Sequence, residues 1–375
     1  MKTKKKIRMV LFCMCAICAA AILSTHTTSD AAAQIKIIGS FKYTYEEFSP
    51  NELRIYCIEP ISDQGISTLR IPSSIDGKKV VRLAEWPDCG DTNIFGVYHL
   101  EEDGSLKELG TYNKVKKIKK IVLPDTLKQI SQNCFGLITG GKSINVPAGL
   151  EKNVRALCGV KWKKFIISPK NKKFKTKNGL LLSRNGKTVY GSVVSKKAVR
   201  IPQGVKTIKE KSIFKDGSAT DIYIPASVDK IGDQSLFFKN TVRYHVAKGN
   251  PHYAEAQSCI YSKKTGRLVA ACVKGPVFTV PSKVTVLSRT NFSGTGIEVK
   301  KFVIPPSVKK IDGFWTFYDK NITYVFLSKK PPVIDAAFAF SGITLYVPKG
   351  SKEAYEWAVG ETNHYYDNPV TVYER

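Results

Sequence analysis

The chain is poor in the residues and motifs from which enzymes build active sites. Four of its five histidines follow residue 33: His99, His245, His252 and His364. There is no HExxH arrangement, no GxSxG turn and no glycine-rich phosphate loop. His245, His252 and Glu255 come nearest to a ligand cluster, but isolated histidines are usually structural or solvated. We therefore predict no catalytic residues, no metal site and no cofactor. The alternative, a secreted hydrolase, would need a pocket with convergent titratable groups.

Negative charge is also scarce, because 59 lysines and arginines face 31 aspartates and glutamates, a formal net charge of +28. The acidic residues concentrate in 84–114, a stretch with several glycines and a proline that is typical of a loop-rich insertion. A basic balance of this size predicts attraction to anionic partners. The same lysines would also keep a repetitive sheet soluble and protect its edges.

Long apolar runs are absent after the first 33 residues, so we predict no transmembrane anchor in the mature chain. Residues 1–33 begin with Lys2, Lys4, Lys5, Lys6 and Arg8, continue through an apolar core and end at Ala31-Ala32-Ala33. This order is typical of a secretory signal peptide cleaved near Ala33. A membrane anchor is the alternative, but the run is short for a span of about 20 residues. We expect a secreted or cell-surface protein.

A short phrase recurs along the chain and predicts its architecture. Its clearest copy is Ile222-Tyr223-Ile224-Pro225, followed by Val228 and Ile231. Apolar, variable, apolar is the period of a half-buried strand, and proline ends the strand because it cannot donate to a sheet ladder. The clear copies end at Pro124, Pro202, Pro225, Pro281 and Pro305, and looser copies end at Pro72, Pro147 and Pro348.

The prolines are spaced as in a stacked repeat. Pro202 and Pro225 are 23 residues apart, and Pro281 and Pro305 are 24 apart. One such unit cannot bury its apolar face alone, so stacking into a leucine-rich-repeat solenoid is the expected fold. A longer period of 78–80 residues is superimposed, since Asn171-Lys172-Lys173-Phe174 is echoed by Asn250-Pro251-His252-Tyr253. We predict β-hairpin insertions near 171–194 and 250–273.

The remaining segments complete the predicted organisation. Residues 34–83 alternate as strands around the turn at Ser49-Pro50-Asn51, which predicts an N-terminal β cap and a first loose repeat. The repeat array spans 115–348, and 349–375 forms a C-terminal capping segment. Within it, Ser351 is placed to cap a short helix over about 352–359, with Tyr355 and Trp357 available for packing.

The strand–proline phrase, an aromatic residue five or six positions after it, and the Asn-x-x-Phe/Tyr insert resemble the BspA-like leucine-rich repeat family. The segment from Leu345 to Tyr355 is similar to that family's closing unit. The resemblance covers about residues 39–375 and is weakest over 84–114. It implies a right-handed, strand-rich β/α horseshoe on bacterial surfaces or in secretions, often assigned to adhesion or protein binding. It implies no catalytic residues. The chain departs from the family by lacking the cysteine that often follows the aromatic and by being strongly basic.

Two rows of residues are candidates for binding. The variable residue of each phrase should face outward, and stacking aligns these positions into a strand column: Arg70, Val122, Asn145, Arg200, Tyr223, Thr279, Val303 and Tyr346. Five residues before the prolines lies a lysine stripe: Lys119, Lys142, Lys197 and Lys300.

Six cysteines follow the signal segment, and an exported chain permits disulfides. Cys259 and Cys272 flank the second predicted hairpin, so a turn over 263–266 would bring them near each other. The first hairpin has no such pair. The alternative is that these cysteines are small buried apolar residues.

The first functional hypothesis is a non-catalytic, secreted or surface protein-binding or adhesion module that uses the solenoid face to contact a protein on a host or bacterial surface. The second is electrostatic binding to an anionic polymer, such as wall teichoic acid, an acidic glycan or extracellular DNA, which would weaken steeply with salt. No specific nucleic-acid readout is expected, because no base-reading module is present.

Overall fold

The structure, a computed structural model, describes the following residues: 33–83, 94–95, 98–100, 106–108, 112–131, 134–138, 140–150, 153–158, 162–193, 197–210, 212, 219–236, 242–288, 291–293, 299–312, 322–335, 344–360 and 370–375. The predicted signal peptide, apart from its last residue, and most of the acidic insertion 84–114 lie outside the described residues.

The described residues form the following strands and helices, in chain order: β1 (Gln34–Ile38), β2 (Phe41–Ser49), β3 (Glu52–Pro60), β4 (Thr68–Arg70), β5 (Ser74–Ile75), β6 (Lys78–Leu83), β7 (Tyr98–Leu100), β8 (Leu106–Glu108), α1 (Tyr112–Lys116), β9 (Lys120–Val122), β10 (Gln129–Ile130), β11 (Ser143–Val146), a 3-10 helix (Val154–Cys158), β12 (Lys164–Ile167), β13 (Phe174–Lys177), β14 (Leu180–Ser183), β15 (Thr188–Ser192), β16 (Ala198–Arg200), β17 (Thr207–Ile208), β18 (Asp221–Ile224), β19 (Lys230–Ile231), β20 (Arg243–Val246), β21 (Tyr253–Ala256), β22 (Cys259–Ser262), β23 (Leu268–Cys272), β24 (Val277–Thr279), β25 (Val286–Leu287), β26 (Asn291–Ser293), β27 (Lys301–Ile304), β28 (Lys310–Asp312), β29 (Thr323–Phe326), β30 (Val333–Asp335), β31 (Thr344–Val347), α2 (Lys352–Gly360) and β32 (Thr371–Glu374).

The fold is a β-solenoid of about 10 turns with few helices, as the sequence predicts. The strands of the recurring phrase pair in parallel in three sheets, with orders β12-β11-β9-β4, β16-β18-β20 and β24-β27-β29-β31-β32. Their apolar positions are buried, for example Ile222 and Ile224 in β18. The variable positions between them face away from the core, because successive side chains of a strand point to opposite faces.

The turn after each proline explains the apolar residue three positions later. The carbonyl of Pro225 accepts a hydrogen bond from the N–H of Val228 at 3.3 Å, and the carbonyl of Pro281 accepts one from Val284 at 2.9 Å. Both valines are fully buried. The chain then enters a second, shorter set of parallel strands, such as β25-β28-β30. One repeat thus contributes a strand, a closed turn and a second strand to the stack.

The N-terminal segment covers the first repeats with a sheet of its own. Strands β1, β2 and β3 pair antiparallel, and β3 continues in parallel into β6 and β10 of the solenoid. Tyr43, Tyr45, Leu53 and Ile55 alternate into the core. The β cap expected from the sequence is therefore joined to the repeat stack through continuous strand pairing.

The two insertions are three-stranded meanders rather than simple hairpins. In the first, β13 pairs antiparallel with β14 and β14 with β15, which then pairs in parallel with β17. In the second, β21, β22 and β23 repeat this pattern and β23 joins β26. Sequence analysis missed the first strand of each insertion, β13 or β21, which begins at the Phe or Tyr of the Asn-x-x-Phe/Tyr motif.

A buried asparagine opens each insertion. The Asn250 side chain donates from Nδ2 to the carbonyls of Pro225 (2.9 Å) and Val228 (3.0 Å), and its Oδ1 accepts from the N–H groups of His252 and Tyr253, both at 2.8 Å. Asn171 makes three equivalent contacts, to the Pro147 carbonyl and to the N–H groups of Lys173 and Phe174. The amide joins the preceding proline turn to the first insertion strand, which explains the echo between the two motifs.

The C-terminal helix α2 is present, but its capping differs from the expectation. The Ser351 hydroxyl donates to the Pro348 carbonyl, whereas Glu374 in β32 accepts from the N–H groups of Gly350, Ser351 and Lys352 at 2.9–3.0 Å. These hydrogen bonds lower the pKa of Glu374. A carboxylate on the adjacent strand therefore caps the helix, an interaction favoured by the helix dipole. Tyr355 is buried as predicted, but the Trp357 side chain is 70% exposed.

Candidate binding face of the parallel sheets

The structure aligns the strand column within each parallel sheet. Arg70 lies opposite Val122, and Arg200 lies opposite Tyr223. Thr279, Val303 and Tyr346 occupy equivalent positions in the third sheet, with Val325 between the last two. The alignment is a property of the fold, whereas the binding role of these residues stays a prediction.

The middle sheet carries a stack of three side chains from consecutive strands. The Cζ atom of Arg200 lies 3.8 Å from the centre of the Tyr223 ring. The Tyr223 and His245 rings stack with centroids 4.4 Å apart and an interplanar angle of 17°. Because the flat faces are turned towards one another, the polar edges of the guanidinium and the phenol point sideways from the stack, whereas the imidazole edge contacts Asp221. A cation–π contact at a surface contributes about 0.5–1 kcal/mol, so the stack orders these side chains.

A network of charges lies beside this stack on the same outward face. The Arg243 guanidinium donates to both carboxylate oxygens of Asp221, at 3.0 and 3.1 Å. His245 Nε2 lies 2.9 Å from Asp221 Oδ1. The hydrogen bond from Arg243, followed by that from His245, holds the pKa of Asp221 well below its usual range. Asp221 therefore stays ionised near neutral pH and holds the Arg243 and His245 side chains of strand β20 in place.

Asn145 is in the predicted column, but its side chain has a structural task. Its Oδ1 accepts from the N–H of Leu123 at 2.6 Å, and its Nδ2 donates to the Leu123 carbonyl at 2.8 Å. The amide thus bridges two strands. Arg70, Asn145 and the exposed Ile166 border an open depression of about 370 Å³ on this sheet. Because both polar atoms of the Asn145 amide are bonded to Leu123, this side chain forms part of the wall of the depression.

Aromatic residues also align at the C-terminal end of the column. Tyr346 lies opposite Tyr373, and their rings stack with centroids 5.5 Å apart. Tyr373 is half exposed. This pair is a second exposed aromatic patch on the same type of face, without the charged groups of the middle sheet.

The lysine stripe is only partly continuous. Lys119 and Lys142 occupy adjacent levels, because the Lys142 N–H donates to the Lys119 carbonyl. The Lys197 carbonyl instead accepts from Thr220, and Lys300 lies between Pro276 and Thr323. Lys142, Lys197 and Lys300 are exposed. The repeat period thus makes Lys119 and Lys142 neighbours on adjacent strands. The residues joined to Lys197 and Lys300 by these hydrogen bonds are not lysines.

Cys259 and Cys272 are buried and are not joined by a disulfide in the structure. The predicted turn does place their strands side by side, with Cys259 opposite Ala271. Cys272 is one residue further on, so its side chain lies on the other face of β23 and packs in a different apolar cluster. The strand alternation thus explains why the structure has no bond between them.

The candidate ligand cluster of His245, His252 and Glu255 is not gathered into a metal site. His245 contacts Asp221, while Glu255 accepts from the N–H of Val246 at 3.2 Å. Among the residues that the structure describes, no group of three histidine, cysteine, aspartate or glutamate side chains could hold a metal ion. Within the same residues, no helix is long and apolar enough to cross a membrane.

Sequence analysis missed four positions in register with the column: Ile166, His245, Val325 and Tyr373, of which Val325 is buried. Each lies in a strand that pairs in register with a predicted one. These strands lack the proline that directly follows the predicted strands, since Ser168, Ala247, Leu327 and Arg375 stand there. The repeat period was the available signal, because His245 follows Tyr223 by 22 residues and Val325 follows Val303 by 22.

Parallel strands in register, closed by proline turns, define a leucine-rich repeat protein. The family model of the BspA type leucine-rich repeat region matches residues 107–243 and 270–352, in 6 copies. This is more than half of the chain, so the protein belongs to the BspA-type leucine-rich repeat family. Members of this family are typically bacterial surface or secreted proteins, often related to adhesion and generally non-catalytic. No curated protein matches the sequence significantly.

Solved structures of repeat proteins are similar over nearly the whole chain. The pneumococcal vaccine antigen PcpA is 13% identical, with 93% of this chain and all (100%) of that chain covered and a TM-score of 0.37. A leucine rich cell surface protein from Faecalibacterium prausnitzii A2-165 is 15% identical, with 92% and 96% covered and a TM-score of 0.39. A leucine-rich repeat protein from Eubacterium ventriosum ATCC 27560 is 13% identical, with 92% and 85% covered and a TM-score of 0.40. The family assignment rests on the repeat match, and no functional argument is taken from these similarities.

Proposed function

We propose that the protein is a non-catalytic, secreted or cell-surface module that binds another protein through the outward face of its parallel sheets. The observation that carries this proposal is the stack of Arg200, Tyr223 and His245 on adjacent strands. Tyrosine and arginine dominate the binding energy of protein interfaces, because they combine a large contact area with directional hydrogen bonds. Here both are held in place before a partner arrives, which lowers the entropic cost of binding.

The chemistry of this face indicates the kind of partner. Arg200, Arg243 and His245 surround Tyr223, and one carboxylate, Asp221, is shared between two of them. A complementary surface would present an acidic group near an apolar or aromatic one, so that the guanidinium of Arg200 is paired when it is desolvated. A protein surface on a host or bacterial cell fits this requirement.

The experiment is capture of surface proteins from producer cells and from host cells by the immobilised protein, at low and at high salt. Retention of one protein at high salt supports the proposal, because an interface with a buried aromatic centre does not depend on charge alone. Loss of all capture at high salt contradicts it. The control is Lys264→Ala, which alters an exposed position outside the strand column.

The second candidate function is electrostatic binding of an anionic polymer at the cell wall. The supporting observation is charge segregation: residues 152–209 contain 17 lysines and arginines and no aspartate or glutamate. A polymer bound in this way would be released by salt. The two candidates therefore give opposite results in the same capture experiment, and both are compatible with export through the predicted signal peptide.

A further inference from the structure

The first insertion presents a row of cationic residues at the turn end of its sheet. We call this row the basic edge and define it as Lys173, Lys175, Arg184, Lys187 and Lys206. Backbone hydrogen bonds place its members side by side: the Arg184 N–H donates to the Lys173 carbonyl at 2.7 Å, and the Lys206 N–H donates to the Lys187 carbonyl at 2.8 Å. Lys175 joins the row because its Nζ lies over Gly186, 3.0 Å from where a Cβ would stand.

The second insertion is an internal control for this row, since the same hydrogen bonds recur 79 residues later. The Lys263 N–H donates to the His252 carbonyl, and the Thr285 N–H donates to the Gly266 carbonyl, both at 2.9 Å. The positions equivalent to the basic edge are therefore His252, Ala254, Lys263, Gly266 and Thr285. Only one of the five carries a full positive charge, and its ammonium is turned to the Asn250 carbonyl at 2.6 Å. The fold does not require cations at these positions.

The surroundings of the two insertions differ in the same direction. Residues 171–193 contain six basic and no acidic residues, whereas 250–272 contain three basic residues and one acidic residue. Arg267 of the second insertion is paired with Asp233 at 3.4 Å. At the first insertion, the row ends at Asp229, whose N–H donates to the Lys206 carbonyl. The positive charge is therefore concentrated along one end of the sheet, across the ends of its strands, and is bounded by the carboxylate of Asp229.

We propose that the basic edge is the docking surface for a flexible linear polymer of phosphate groups, of the phosphodiester or polyphosphate type. This deepens the second candidate function by naming its site and its ligand class. It does not depend on the strand column, because the two surfaces lie on different sheets: Arg200 of the column is in β16, whereas Lys206 of the basic edge directly precedes β17.

Three features favour phosphate over other anions. Four of the five residues are lysines, which bind phosphate as point charges, whereas planar carboxylates favour bidentate arginine. Neighbouring strands lie about 4.8 Å apart, so the row meets charges repeated along a chain. The row contains no aromatic side chain, and single-stranded nucleic acids usually bind by stacking their bases on aromatic residues.

The test measures binding of the whole protein to fluorescently labelled long-chain inorganic polyphosphate over a series of salt concentrations. The variant is Lys187→Gln with Lys206→Gln, and the matched control is Lys248→Gln with Lys264→Gln, which removes the same charge from exposed positions just before and within the second insertion. Affinity falls as salt rises, and each lost phosphate contact makes the slope of log affinity against log salt shallower by roughly 0.7. We expect the variant to make this slope shallower by about 1.4 and the control to leave it nearly unchanged. Melting curves of both variants establish that they fold.

Each other outcome overturns the inference in a distinguishable way. Equal losses in variant and control would mean that net charge alone binds the polymer, so the site would be wrong while the second function stands. No binding of polyphosphate by the parent protein would remove both. Binding of polyglutamate, a carboxylate polymer, as tightly as polyphosphate would refute the ligand class. Arg200→Ala is expected to keep polyphosphate binding, which separates this surface from the strand column.

Discussion

Replacing Asn250 by alanine tests how the insertions are attached to the solenoid. The side chain is fully buried and satisfies four backbone groups, two carbonyls of the preceding turn and two N–H groups of the insertion. A net contribution near 1 kcal/mol for each hydrogen bond gives a loss of about 4 kcal/mol in the free energy of unfolding. Burying the unpaired groups would raise this figure, and entry of water would lower it.

The assay is urea denaturation, combined with amide hydrogen exchange over residues 250–272. We expect a lower midpoint and faster exchange in the second insertion, because a solenoid unit contacts mainly its neighbours. Lys264→Ala on the exposed turn of the same insertion is the control and should change stability by less than about 0.5 kcal/mol. A loss below about 1 kcal/mol for Asn250→Ala would refute the role assigned to the buried amide.

Three further substitutions or treatments test other contacts. Gly141→Ala would place a Cβ 1.8 Å from the buried Trp162 ring, so a lower melting temperature and a loss of about 1–3 kcal/mol are expected; an unchanged melting temperature would contradict this packing. Because the pKa of folded Asp221 is lowered, its ionised form stabilises the fold above about pH 4 and this contribution fades as pH falls further. Asp221→Asn should therefore flatten the acid side of the curve of melting temperature against pH, and an identical curve would oppose the assignment. Burial raises the pKa of the Cys259 thiol to about 12, and Cys272 is also buried, so both cysteines should resist alkylation until the protein unfolds; peptide mass spectrometry that finds them bonded would contradict their placement on opposite faces.

The repeat architecture could be predicted because its physical causes are local. An alternating strand, a proline that stops it and an apolar residue three positions later can all be recognised from the pattern of a few consecutive residues. The structure adds that the N–H of that apolar residue closes the turn on the proline carbonyl, as Val228 does on Pro225. Strands that end without proline, such as β20 and β29, leave a weaker mark, which is why His245 and Val325 were missed.

Other features depend on contacts between segments that lie far apart in the chain. Glu374 caps α2 from a strand that follows it, so the local sequence around Ser351 indicated the wrong capping group. The Asn145 side chain was predicted to be available but bridges to Leu123, which directly follows the neighbouring strand β9, 22 residues earlier. The sides on which Cys259 and Cys272 lie depend on the register of the insertion. Sequence pattern gives such positions only when the register is known.

The central claim is that the ordered stack on the middle sheet carries partner binding. The most direct test is a titration of the protein captured at high salt with the parent chain, with Tyr223→Ala and with Lys264→Ala. We expect Tyr223→Ala to weaken binding by more than tenfold, or about 1.4 kcal/mol, and Lys264→Ala to leave it within twofold. Equal affinity of the parent chain and Tyr223→Ala, with both folded, would contradict the claim and move the binding surface elsewhere on the solenoid.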